Sequence, residues 1–248
     1  MTYGLTIYNP DTGNIVIDNN YMNQGVIASG TIASLGGYTV PPYGGRLYKL
    51  TYPSFILNPS VAIQLDKTVR VSKTNLSNTS SGMTCYIWVS GDPGNLKYYL
   101  FGSNVVATSS YGLRVYDSNG RVTYDSGVPY LKILGVAANN LTTWTINGVP
   151  VTGSGTNSST SEQFDSAKKL AIMITGDASD NVYSSIPPGP TGTAQTIHNI
   201  NIAAFYITSD NRVHQQRYQF SETLNDTMID STTRQGYAPS FVLDVTNY

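Results

Sequence analysis

The sequence predicts an all-β chain, an antiparallel β-sandwich of jelly-roll or Ig-like type. Three observations predict it. A hairpin-like phrase occurs twice. Short apolar runs alternate with polar residues throughout. Gly, Pro and Asn punctuate them at short intervals.

The doubled phrase comes first. Residues 3–18 read YGLTIYNPDTGNIVID and residues 111–125 read YGLRVYDSNGRVTYD. With Tyr3 set on Tyr111, the matches are Gly4/Gly112, Leu5/Leu113, Ile7/Val115, Tyr8/Tyr116, Gly13/Gly120, Ile15/Val122 and Asp18/Asp125. The first copy has one extra residue in its turn. Each copy reads as strand, turn, strand. Asn119-Gly120 suits a two-residue type I′ turn, which needs φ > 0 at both centres. That turn pairs Tyr116 with Thr123, Val115 with Tyr124 and Arg114 with Asp125. Asp11-Thr12-Gly13 suits a three-residue loop, pairing Pro10 with Asn14, Ile7 with Ile17 and Thr6 with Asp18. A one-residue slip would turn every side chain to the other face. The shared pairs therefore argue for two related hairpins, with Arg114 and Asp125 as an exposed cross-strand ion pair.

Further strands are expected at 26–32, 47–52, 61–65, 69–72, 84–89 and 98–101, and after the second hairpin at 131–134, 143–146, 170–175, 200–208, 213–220 and 241–245. Residues 35–45, 91–94, 147–148 and 179–181 read as turns. One or two helical turns are expected around 162–169. Two polar tracts, 152–161 and 184–195, read as surface loops. The preferred organisation is one sandwich domain over 1–248, with a long, loop-rich C-terminal elaboration. The alternative is an N-terminal β domain (1–108) and a C-terminal β domain (109–248).

Composition narrows the function. Charged residues make up 12% of the chain, about half the usual share, and the net charge is −1. The only adjacent basic pair is Lys168-Lys169, so no nucleic-acid partner is expected. The single cysteine, Cys85, alternates with Ile87 and Val89 and reads as a small buried apolar residue. No early stretch resembles a signal peptide and no apolar run is long enough to span a bilayer, so synthesis in a cytoplasm and no membrane insertion are expected. The sequons at Asn75, Asn78, Asn140, Asn157 and Asn225 then carry no meaning.

Chemistry is scarce. There are two glutamates, Glu162 and Glu222, and two histidines, His198 and His214. No local cluster joins them, and the histidine spacing matches no zinc pattern. Gly153-Ser-Gly155 lacks a following helix with lysine, and Asp177–Asn181 lacks the alternation of a calcium loop. No catalytic residue, metal or cofactor is expected, and the chain reads as a non-enzyme.

Aromatics offer more. The chain has 19 tyrosines but 6 phenylalanines. Tyr38, Tyr43, Tyr48, Tyr52, Tyr98, Tyr99 and Tyr183 fall in or beside expected loops. Of these, Tyr38, Tyr43, Tyr98, Tyr99 and Tyr183 are the candidates for a subunit interface or for stacking on glycan rings, the interface being preferred.

The doubled phrase, the strand Tyr130-Leu-Lys-Ile133 after its second copy and the ending Phe241–Tyr248 resemble a group of tail-associated structural proteins of tailed bacteriophages. Residues 20–105 match only in style, and 135–240 look like this chain's own elaboration. The resemblance implies a virion component of the tail tip or fibre region, active in assembly and host attachment. Its partners would be other tail proteins and copies of itself, a trimer being favoured. A receptor-binding tail protein that holds a host surface glycan or protein is the alternative. A capsid decoration or head-fibre protein is the third option. The resemblance supplies no catalytic residue.

Overall fold

A computed structural model describes residues 6–8, 10–11, 15–18, 22–40, 45–64, 70–79, 82–90, 94–103, 111–137, 143–146, 149–152, 160–174, 179–186, 195–224, 231–234 and 240–248. Among these the chain is all-β, with antiparallel sheets and no helix. The strands are β1 (Thr6–Tyr8), β2 (Ile15–Asp18), β3 (Gly25–Ile32), β4 (Ser34–Val40), β5 (Gly45–Tyr52), β6 (Ser60–Gln64), β7 (Arg70–Thr79), β8 (Gly82–Ser90), β9 (Leu96–Gly102), β10 (Arg114–Tyr116) and β11 (Val122–Asp125). They continue as β12 (Ile133–Ala137), β13 (Thr143–Ile146), β14 (Val149–Thr152), β15 (Thr160–Gln163), β16 (Leu170–Ile174), β17 (Ser179–Ile186), β18 (Gln195–Ile207), β19 (Arg212–Leu224), β20 (Ser231–Arg234) and β21 (Ser240–Asp244).

Two large sheets organise them. One is six-stranded, in the order β12-β21-β16-β6-β9-β3. The other runs β15-β19-β18-β7-β8-β5-β4, with β17 paired to β18 and β20 paired to β17. Both draw strands from either side of residue 108, so a cut there would break both.

Alternation builds the core. On β8 the period of two buries Cys85, Ile87 and Val89, and on β5 it buries Tyr48, Leu50 and Tyr52. These pack with Val61 and Ile63 of β6, Leu96 and Leu100 of β9, Leu170 and Ile172 of β16, Phe205 of β18 and Val242 of β21. One apolar cluster thus takes residues from both large sheets. The opposite face of the six-stranded sheet has its own cluster of Ala62, Tyr99, Phe101, Ala171, Met173, Leu243 and Val245. Tyr248 lies edge-on to Tyr99 (5.9 Å between ring centroids) and Phe101 (6.2 Å), so its ring caps that cluster.

The segment leading into β12, one edge strand of this sheet, meets the start of β3, the other edge strand. Val26 N–H donates to Pro129 O and Leu131 N–H to Gln24 O, both at 2.9 Å, around a Gly25–Tyr130 bridge. The segments that meet here are the ones that leave the two short hairpins.

Several expectations change. Residues 162–169 form no helix. Glu162 and Gln163 pair with Val213 and Arg212, and a turn follows in which Lys168 N–H donates to Asp165 O at 3.0 Å. The expected turn at 35–45 includes most of β4, and the one at 179–181 begins β17. Both were misread because Gly, Asn and Asp signal turns from local preference, whereas cross-strand pairing holds them in a sheet. The expected loops at 152–161 and 184–195 have strand at both ends, and 153–159 and 187–194 lie outside the described residues.

Candidate functional site: the paired hairpins

The two phrases form two hairpins of the same design. In the first, Thr6 pairs with Asp18, Ile7 with Ile17 and Tyr8 with Ile15. In the second, Arg114 pairs with Asp125, Val115 with Tyr124 and Tyr116 with Val122. Both registers shift by one residue at the same point, past Val16 in one and Thr123 in the other. A bulge at matched positions is a feature kept in both copies rather than a local accident.

The bulge follows from the turn. Asn119-Gly120 is not type I′, because only Gly120 has φ > 0 there (+77°). Gly120 N–H donates to Asp117 O at 3.0 Å and Asp117 N–H to Arg121 O at 2.8 Å, which makes a three-residue loop with glycine in the left-handed place. The Asp117 carboxylate explains the choice. It accepts from the backbone N–H groups of Asn119 and Arg121, both at 2.8 Å, and from Arg121 Nε at 2.7 Å. The Arg121 backbone bond leads in holding its pKa below the ordinary value, against a smaller opposing effect of burial. The longer loop would slip the ladder by one residue. The bulge at Thr123 absorbs the slip, so Val115/Tyr124 and Arg114/Asp125 pair as expected while Tyr116 meets Val122 instead of Thr123.

The bulge also serves the contact between hairpins. Thr123 O accepts from both the backbone N–H and the side-chain amide of Asn23, each at 3.2 Å. Asn23 lies just beyond β2, and β2 runs beside β11. The two hairpins therefore meet through their second strands. Each is a two-stranded sheet of its own, and no other described strand pairs with β1 or β10.

The Arg114–Asp125 pair forms, at 2.6 Å, but not on an exposed face as expected. Asp125 is buried, and its carboxylate also accepts from Gly127 N–H at 2.9 Å. Its own N–H donates to the Tyr130 hydroxyl, and the Tyr130 ring stacks on Tyr124 at 4.9 Å. The hydrogen bond to Asp125 raises the Arg114 pKa further above its ordinary value. The alternation of β11 hides Thr123 and Asp125, and local sequence does not reveal that the following Gly127–Tyr130 segment folds over them.

Outward, the hairpins carry aromatic groups. Tyr8 is 58% exposed and Tyr116 50%, at equivalent positions of β1 and β10. Tyr111 and Leu113 are also exposed. Gly112 is in a positive-φ conformation, and Gly4 and Gly13 lie outside the described residues. Asp18 holds its register opposite Thr6.

The loop tyrosines divide differently from expectation. Tyr99 is a core residue in mid-β9, its hydroxyl donating to Gln64 at 2.9 Å, and cannot offer its ring to a sugar or a neighbour. Tyr48 and Tyr52 are core as well. A buried tyrosine keeps its apolar body packed and needs only one partner for its tip. Tyr98 is half-buried beside Gly30. Tyr38 lies in β4 and Tyr183 in β17, and Tyr43 is outside the described residues.

Register brings together residues that sequence kept apart. His198 pairs with Tyr183 on one side and Glu222 on the other, so one histidine and one glutamate share a cross-strand row. His214 stacks on Tyr206 at 4.6 Å. Among the described residues no group of three or more His, Cys, Asp or Glu is placed to hold a metal, and no helix is long and apolar enough to cross a membrane. Compared with protein-family models, curated proteins and solved structures, the chain matches none.

Proposed function

We propose that the chain is a non-enzymatic structural component of a tailed-bacteriophage virion, seated in the tail tip or fibre region and assembled as a symmetric homo-oligomer, a trimer being favoured. The observation that carries this reading is the repeated hairpin. The residues that carry the phage resemblance form two units with one register, one bulge position and an exposed tyrosine at the same strand position, Tyr8 or Tyr116. Tyr8 and Tyr116 leave about half of their surface to solvent at matched positions. They suit contact with another chain, where tyrosine gives large area at low entropic cost.

The fold proposed with it is an antiparallel sandwich. Its support is the apolar cluster that joins β5 and β8 of one sheet to β6, β9, β16 and β21 of the other. Low charge favours association between copies, since no strong net field keeps them apart. The test is labelling of purified particles with antibody against this chain. Label at the tail end supports the reading. Label on the head, or none on intact particles, contradicts it.

A further inference from the structure

We infer that Asn119 is a latent site of covalent modification. The three-residue loop of the second hairpin holds it unreactive, and opening of that hairpin releases it to lose ammonia.

The chemistry is built into the dipeptide. In Asn-Gly the glycine nitrogen gives up its proton and attacks the asparagine Cγ. A bond forms between that nitrogen and Cγ, the bond from Cγ to the side-chain amide nitrogen breaks, and ammonia leaves with the proton. Water then opens the cyclic imide at either carbonyl. The product is aspartate, or isoaspartate, in which the main chain runs through the side-chain carbons. Glycine favours the attack because it has no Cβ in the way. The chain has two Asn-Gly pairs, of which Asn147-Gly148 lies outside the described residues. Asn119 and Gly120 are both exposed, so water reaches them.

The loop opposes the first step. The attacking nitrogen is already a donor, since Gly120 N–H donates to Asp117 O at 3.0 Å. The N–H groups on either side of it, of Asn119 and Arg121, donate to the Asp117 carboxylate at 2.8 Å. One residue thus binds three consecutive N–H groups and fixes the peptide link between Asn119 and Gly120 at both ends. Closing the imide turns that link and takes the Gly120 donor away from Asp117. The loop must therefore open first. A reaction that proceeds only from an opened state follows the population of that state. The first hairpin has Thr12-Gly13 at the matched place, which cannot undergo this chemistry. Of the two hairpins only the second carries the site. Isoaspartate there would add a carbon to the backbone of a loop whose length the Thr123 bulge already compensates.

The test follows ammonia loss at Asn119 by mass mapping at mildly alkaline pH. It compares the native full chain, the same chain unfolded in guanidinium, and Asp117→Ala. The native chain should react at least roughly tenfold more slowly than the unfolded one. Asp117→Ala should fall between them, since it removes both carboxylate contacts and leaves the carbonyl one. Asn119→Thr, the first hairpin's residue, should abolish the product at this position and keep the denaturation midpoint. A native chain that reacts as fast as the unfolded one overturns the inference. So does a folded Asp117→Ala chain that reacts no faster than the native one. Should Asp117→Ala fail to fold, the native and unfolded rates decide alone.

Discussion

Asp125 accepts a 2.6 Å hydrogen bond from Arg114, yet only the arginine reaches water: the two side chains are 2% and 35% exposed. The pair thus belongs half to the interior. Exposed cross-strand pairs contribute at most about 1 kcal/mol, whereas loss of one partner from a buried pair costs several. Asp125→Ala should destabilise by about 3 kcal/mol, because the Gly127 N–H and the Arg114 guanidinium both lose their acceptor. Arg114→Ala should cost less, since solvent replaces part of what it lost. Urea denaturation of the two single variants and the double variant reads the coupling. A value under about 0.5 kcal/mol would show that the carboxylate is solvated.

Gly112 and Gly120 both have positive φ, but for different reasons. At Gly120 (+77°) an added Cβ meets nothing within 4 Å, so Gly120→Ala should cost about 1 kcal/mol of backbone strain alone. At Gly112 (+134°) the Cβ would fall 2.3 Å from Ser126 Oγ, the atom that accepts from Leu113 N–H. Gly112→Ala should therefore cost clearly more. Adding Ser126→Gly should recover only part of that loss. Equal costs at the two glycines would contradict the contact.

Tyr248 covers Tyr99 and Phe101. Tyr248→Ala should cost about 3 kcal/mol, as expected for emptying a packed aromatic site. Burial, followed by the charge of Asp244, pushes the Tyr248 hydroxyl up to about 12, and burial leads in raising Tyr52 to about 12. The unfolded chain loses these protons near 10 and the folded chain only near 12. Their contribution is complete below pH 10 and is lost as pH rises toward 12. The urea midpoint should fall across that window, and less steeply in Tyr248→Phe. A flat profile would place both hydroxyls in water.

Asp244 gives the acid counterpart. Burial opposes its charge, but the hydroxyl and N–H of Thr246 and the Lys168 ammonium outweigh it and hold the carboxyl at about 2. A depressed carboxylate stabilises above its unfolded pKa near 3.8 and loses that contribution as pH falls through 2. Asp244 should supply up to about 2 kcal/mol at neutral pH, little of it from the partly exposed Lys168. Asp244→Asn should flatten the stability profile between pH 4 and pH 2. An unchanged profile would remove Asp244 from the acid transition.

Much of this was legible because strand alternation and hairpin repetition are local. The repeat located both hairpins, and the run around Cys85 marked one core strand. The turn type at Asn119-Gly120 was not legible, because Asn-Gly fits both the two-residue loop and the three-residue loop. The Asp117 carboxylate, reaching two N–H groups beyond itself, decides between them. Nor was the burial of Asp125, which depends on Tyr130 and Gly127 folding back. Tyr99 was expected in a short strand beside a loop and so a candidate for contact, yet β9 runs through it between β3 and β6 and buries it. The row of Tyr183, His198 and Glu222 comes from register between strands distant in sequence, which no spacing rule reveals.

A density map of the tail region of an intact particle decides the proposed phage-tail role. Symmetric copies of this chain, in contact with one another at the tail tip or fibre base, are the expected result. A tail in which this chain is absent, or in which its copies never touch, would overturn the proposal.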